Sequence, residues 1–198
     1  MPGATSAQSR SIALLLLTLL ATAGLAQQPV PPPPRPADSG PSLQVTMKFI
    51  QDNLNDVGSI SFVYYAHENR EGRDWSVVNK YEASNIVADP AACRISYHWK
   101  DTSNGIVAAD ADRQIPLRAV KDLVVRPGDQ HLKQLAAAAG SPSLEFRVDP
   151  MFYVLALRMP KNEEFHFVFR DEDLANRVAR AMVHAVELCG GGRKDDPF

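Results

Sequence analysis

Apolar residues recur along this chain in two rhythms, and the switches between them mark out its elements. Met47, Ile50 and Leu54 repeat at helical spacing, with Lys48, Gln51, Asp52 and Asn55 turned away. This predicts a first helix capped by Ser42 and stopped at Val57-Gly58, where glycine accepts the left-handed turn after a helix end. The rhythm then changes to two. Ile60, Phe62 and Tyr64 alternate with Ser59, Ser61 and Val63, and the charged stretch His67 to Asp74 reads as a turn. Trp75 to Ala88 is extended, interrupted near Ser84-Asn85 and broken by Asp89-Pro90. Cys93, Ile95, Tyr97 and Trp99 alternate with Arg94, Ser96, His98 and Lys100 in the cleanest strand of the chain. Thr102 to Asp112 is loop or hairpin. Ile115, Leu117 and Val120 to Val125 form a further extended run, closed by Pro127-Gly128. Gln130 to Gly140, rich in alanine and leucine, predicts a short helix. Strands follow at Leu144 to Val148, at Phe152 to Leu157 and, after the turn Pro160-Lys161-Asn162, at Phe165 to Phe169. In the last of these His166, Val168 and Arg170 alternate with the phenylalanines.

The final helix has the strongest signal. Asp171 is a good N-cap, and Glu172 and Asp173 sit where the helix dipole favours negative charge. Leu174, Val178, Ala181, Met182, Ala185 and Leu188 form an apolar stripe, while Arg177, Arg180 and His184 share another face. Asp173 and Arg177 are spaced for an i,i+4 pair. Gly190 ends the helix. The order is therefore helix, about seven strands, helix. A bent antiparallel sheet closed by its C-terminal helix is the economical α+β arrangement for that order.

This element order resembles the pleckstrin-homology-like superfold, across most of Leu43 to Cys189. The closing stretch FHFVFRDEDLANRVARAMVHAVELCGG, Phe165 to Gly191, is also similar to the ending of a group of uncharacterised exported bacterial proteins, and that likeness implies no activity. The chain departs from the phosphoinositide-binding members of the superfold. Its first hairpin carries only Arg70 and Arg73, offset by Glu68, Glu71 and Asp74, so no headgroup site is carried over.

The flanks add an address. Arg10 precedes an apolar run, Ser11 to Ala26, that ends on the small residues Gly24-Leu25-Ala26. That order predicts a secretory signal peptide over 1–26; an uncleaved membrane anchor is the alternative, but a spanning helix wants about 20 apolar residues. Residues 27–42, with prolines 31–34 in a row, read as a Pro-rich, semi-rigid linker or a proline-rich ligand. Residues 43–189 are long enough for one α+β domain, and 190–198 read as a disordered tail. Removing 1–26 takes away Arg10 and no acid, which leaves 20 basic against 23 acidic residues. That balance lacks the positive excess of a nucleic-acid binder and the polybasic patch of a membrane-surface protein. The expected location is secreted or periplasmic, with no membrane span after cleavage.

Candidate chemistry is sparse. An even cysteine count in an oxidising compartment predicts a disulfide between Cys93 and Cys189; two separately buried thiols are the alternative. The histidines His67, His98, His131, His166 and His184 have no metal-ligand spacing. They read as solvated surface groups, with His98 and His166 on polar strand faces where they could become cross-strand neighbours. Glu163-Glu164 sits in a turn and Asp171-Glu172-Asp173 is explained by capping, so no carboxylate pair faces a cleft. Serine-nucleophile and phosphate-loop signatures are absent, and no catalytic set, metal or cofactor is expected. Tyr64, Trp75, Tyr81, Tyr97 and Trp99 fall mostly on core positions, whereas Tyr65 points to the opposite face from Tyr64 and can anchor a partner.

These observations point to a non-enzymatic binding module with a protein or peptide partner in the cell envelope, docked on a strand edge or beside the C-terminal helix through Arg177, Arg180, His184 and Tyr65. The competing expectations are a small hydrolase with a dispersed site, using His98 or His166, and a carrier holding an apolar ligand inside the bent sheet.

Overall fold

The computed structural model describes residues 40–69 and 72–192. The expected signal peptide, the linker up to Ser39, Arg70 and Glu71 of the first hairpin, and the tail from Arg193 lie outside the described residues. Three helices and eight strands appear in the order α1 (Leu43–Val57), β1 (Ser59–Glu68), β2 (Arg73–Asp89), β3 (Arg94–Ser103), β4 (Ile106–Pro116), β5 (Asp122–Pro127), α2 (Gly128–Ala138), β6 (Leu144–Asp149), β7 (Tyr153–Arg158), β8 (Glu164–Phe169) and α3 (Glu172–Leu188). No helix among the described residues is long and apolar enough to cross a membrane.

The strands form two antiparallel sheets rather than one bent sheet of about seven. One runs β4-β3-β2-β1-β6 and the other β5-β7-β8. The expected run from Ile115 to Val125 is split. Ile115 closes β4, a 3₁₀ turn at Leu117–Ala119 redirects the chain, and β5 begins the second sheet. The loop-or-hairpin segment around Thr102 to Asp112 is the β3–β4 hairpin itself. Its turn is Asn104-Gly105, both with positive φ, the dipeptide that tight hairpins favour.

Local chemistry fixes the α1 end of the molecule. Ser42 Oγ accepts the Val45 N–H, and Met47, Ile50 and Leu54 are buried. Strand β2 carries a bulge between Ser84 and Val87, with Asn85 in the left-handed region. The bulge turns Ile86 into the core and leaves backbone groups free of the ladder. Side chains of α1 satisfy them: Asn55 Oδ1 accepts the Ile86 N–H, Asn55 Nδ2 donates to the Ile86 carbonyl, and Gln51 Oε1 accepts the Ala88 N–H.

Strand β7 reads Val-Leu-Ala-Leu and is buried on both faces, and β8 likewise buries Phe165, Phe167, Val168 and Phe169. This corrects the expectation of a polar face on β8. The second sheet packs against α3 and against Tyr81, Tyr97 and Trp99 of the larger sheet, which leaves most of β7 and β8 buried and β5 half-buried. His166 packs against the rings of Tyr81 and Trp99, and Phe167 against Tyr97. Tyr81 Oη donates to the His166 carbonyl at 2.6 Å, which ties β8 to β2. Helix α3, capped by Asp171 Oδ1 on the Leu174 N–H, packs on α1 and on β5, β7 and β8. Cys93 and Cys189 form a disulfide across a Cα separation of 5.8 Å, joining the C-terminal end of α3 to the start of β3.

Candidate functional site

The expected helical face does gather at one place. Arg180 and His184 of α3 line a groove of about 410 Å³ with Ala181, and Gly40, Pro41, Val45, Thr46 and Phe49 supply the opposite wall. Arg177 holds its guanidinium 5.7 Å from the Phe49 ring, one turn along the same boundary. It stacks there rather than on Asp173, the partner its spacing suggested. The floor is apolar: Val45 is 60 % exposed, Phe49 and Ala181 are half-buried, and Thr46 Oγ1 is buried without a protein partner.

His184 belongs to the site in a second way. Its Nε2 lies 2.9 Å from the Pro41 carbonyl, and its Nδ1 lies 3.9 Å from Glu187. The ring approaches the backbone closely, since a Cβ on Gly40 would stand 3.2 Å from it. The segment that leads into α1 is therefore seated on α3 at one end of the groove.

Tyr65 stands apart from this cluster. It is 39 % exposed on the outer face of the larger sheet, with the Arg147 guanidinium 4.3 Å over its ring. The surrounding groove, about 590 Å³, also carries Trp75 and the His67–Asp74 pair at 2.8 Å. The structure thus separates Tyr65 from the three α3 residues, onto a different surface.

Of the five histidines, His131 is buried and His166 is half-buried among rings of both sheets, which corrects their assignment as solvated surface groups. His131 of α2 is 6 % exposed, and its ring lies 5.6 Å from that of His166. Burial pulls both below the ordinary imidazole range, to about 3 for His131 and about 4 for His166, helped by the nearby positive charge of Arg126 and, for His166, Arg113. Both are neutral at pH 7. Arg126, 6 % exposed, faces Glu164 at 3.4 Å, and Arg113 lies 4.7 Å over the Trp99 ring. Trp99 Nε1, Arg126 Nε and His131 Nδ1 are buried without protein partners. The space beside them, lined by Tyr97, Trp99, Arg113, Glu164, Phe165 and His166, is about 40 Å³, room for one or two waters.

His98 and His166 do not meet: His166 packs on Trp99, whose neighbour His98 points to the other face of β3. His98 lies on the outer side of β3 between Asp110 Oδ1 at 3.1 Å and Asp112 Oδ1 at 3.0 Å. The hydrogen bond to Asp112 raises its pKa. Among the described residues no group of three or more His, Cys, Asp or Glu side chains is placed to hold a metal ion.

Sequence reasoning missed the α1 wall of the groove and the interior of the second sheet. Val45 and Phe49 flank the buried stripe of α1 and carry no signal of their own. The second feature did leave a trace, because a continuous apolar run such as Val154 to Leu157 belongs to a strand covered on both faces. Its neighbour β8 had to be covered in the same way.

The fold and the groove together define an α+β domain with two antiparallel sheets and a cation-rimmed trough between its first and last helices. Comparison of the chain with family models, curated proteins and solved structures gives no match in any of the three.

Proposed function

We propose that this protein is an exported, non-enzymatic interaction module of pleckstrin-homology-like architecture, and that it holds a protein or peptide partner of the cell envelope in the α1–α3 groove. The observation that carries this reading is the groove itself. An open apolar floor at the surface, bordered by Arg177, Arg180 and His184, is a surface a partner can cover. The two antiparallel sheets with a C-terminal helix packed on the smaller one are consistent with the architecture. The disulfide and the apolar leader are consistent with a secreted or periplasmic site of action.

The competing readings have less support. The rings expected to line a ligand cavity fill the interior instead, Phe62 against Phe152 at 4.0 Å and Tyr97 against Phe167 at 4.9 Å. A hydrolase using His166 would need substrate where the space is about 40 Å³, and one using His98 would work from the outer side of β3, where the imidazole is held between Asp110 and Asp112.

The test is recovery of the protein from its native envelope after mild crosslinking. A single stoichiometric protein partner, lost in an Arg177→Glu/Arg180→Glu variant and kept in Tyr65→Ala, is the expected outcome. Recovery of the protein alone in every case refutes the reading.

A further inference from the structure

We infer that the segment held in the α1–α3 groove is an acidic amphipathic helix supplied by the partner protein. This rests on the interaction reading above and adds the conformation and chemistry of what docks.

The conformation follows from what the groove lacks. An extended peptide gains affinity by adding its backbone to a sheet edge, where unpaired N–H and C=O groups wait for it. The long walls here are two α-helices, whose interior backbone groups are already bonded within each helix, and at the Gly40–Pro41 end the Pro41 carbonyl is taken by His184. A segment lying on Val45, Phe49 and Ala181 finds no backbone ladder to join, so on an apolar floor it must satisfy its own backbone. A helix does this, with one face laid along the trough between α1 and α3.

The chemistry follows from the rim. Arg177, Arg180 and His184 are spaced i, i+3, i+7 along one side of α3 and span about 10 Å of its axis at 1.5 Å per residue. Carboxylates at j, j+3 or j+4, and j+7 of a facing helix repeat at the same interval. The residues that line the groove include no acid; Glu187, beside His184, lies outside it. A basic segment would therefore be repelled by Arg177 and Arg180, while an acidic one meets its complement there and leaves its apolar stripe for the floor. An acyl chain with an acidic head shares part of this chemistry. However, the groove is open to solvent along one side, and small-molecule sites usually enclose most of their ligand. A helix tolerates the opening, because its polar face stays in water.

The experiment uses the full chain and a displayed library of 18-residue peptides, half biased to helix and half to extended or proline-rich conformations. Selection on the wild type is followed by counter-selection against Ala181→Phe, which fills the trough at a half-buried surface position. The expected binders are helical, with Asp or Glu at the j, j+3/j+4, j+7 spacing beside an apolar stripe. Their affinity should fall by about tenfold or more in Arg180→Glu and return when the facing acid is changed to lysine. That charge exchange is a readout which simple unfolding of the variant cannot produce. Extended or proline-rich binders that are lost on Ala181→Phe overturn the helical inference and leave the interaction reading standing. Helical binders indifferent to Arg180→Glu overturn the acidic assignment. Absence of any binder displaced by Ala181→Phe overturns both.

Discussion

Acidification should destabilise this protein through two residues. His131 and His166 lie with their rings 5.6 Å apart between α2, β8 and the inner side of the larger sheet, and they hold protons only near pH 3 and pH 4. In the unfolded chain both titrate near 6.5. A group whose folded pKa is lowered binds its proton more readily when unfolded, so folding is weakened as pH falls below 6.5 and the loss saturates near the folded values. With two such groups the limiting slope is about 2.7 kcal/mol per pH unit. Integrated with those pKa values, the loss is about 4 kcal/mol between pH 7 and pH 5, against the 5–15 kcal/mol typical of a whole domain. The charged groups around the pair do not offset this. Arg113 from β4 and Arg126 from β5 oppose protonation, and Glu164 of β8 is already engaged by Arg126 and Arg158. His98 acts with the opposite sign, since its pKa is raised and its pairing with Asp110 and Asp112 is strongest below 6.5, but it is a surface group. The assay is urea unfolding followed by tryptophan fluorescence at pH 7, 6, 5 and 4.5, with Trp99 edge-on to His166 at 5.8 Å as a local reporter. A His131→Leu/His166→Gln variant should lose less than about 1 kcal/mol over pH 7 to 5 where the wild type loses about 4. Equal loss in the two proteins, or a wild type equally stable at pH 5 and pH 7, would refute the reasoning.

Three further perturbations test other parts of the structure. A Cβ at Gly128 would stand 2.5 Å from the Phe152 ring, itself fully enclosed, so Gly128→Ala should cost about 1–3 kcal/mol by overpacking, read as a lower Tm. Reducing the Cys93–Cys189 bond frees a span of 96 residues, worth about 4–5 kcal/mol of loop entropy. The melting temperature should fall markedly with reductant and be insensitive to it in Cys93→Ser/Cys189→Ser. Tyr81→Phe removes the donor to the part-buried His166 carbonyl and should cost about 1 kcal/mol in denaturant unfolding; an unchanged midpoint would mean that bond carries no stability.

Much of the fold was legible where local chemistry and burial agree. Ser42, Gly58, Asp171 and Gly190 bound α1 and α3 because caps act within four residues of themselves. Strand β3 could be read from Cys93 to Trp99 because one of its faces is inward along that whole stretch. The partition into two sheets was not legible, since it depends on the turn at Leu117–Ala119, where Leu117 and Val120 extend the apolar positions on either side. His166 was misplaced for a related reason. A single polar residue in an alternating strand points to water only if that face is open, and whether it is open depends on packing between β2, β3 and β8, distant in sequence. The same limit applies to the groove. The spacing of Arg177, Arg180 and His184 put them on one face, but nothing near them in the chain announced Val45 and Phe49 as the opposite wall.

The bond between Cys93 and Cys189 makes a closed ring of everything from β3 to α3 and leaves α1, β1 and β2 as an arm outside it. A protease cut within the ring yields two pieces that still migrate as one until they are reduced, whereas a cut in the arm sheds a fragment at once. The groove has one wall in each part. Its α3 side is covalently fastened at the far end, and its α1 side is held only by packing and by a few hydrogen bonds to β2 and the His184 contact with Pro41. The strands of the arm are laddered to β3 and β6 of the ring, so if the trough ever widens to admit its occupant, the wall that shifts is α1 alone.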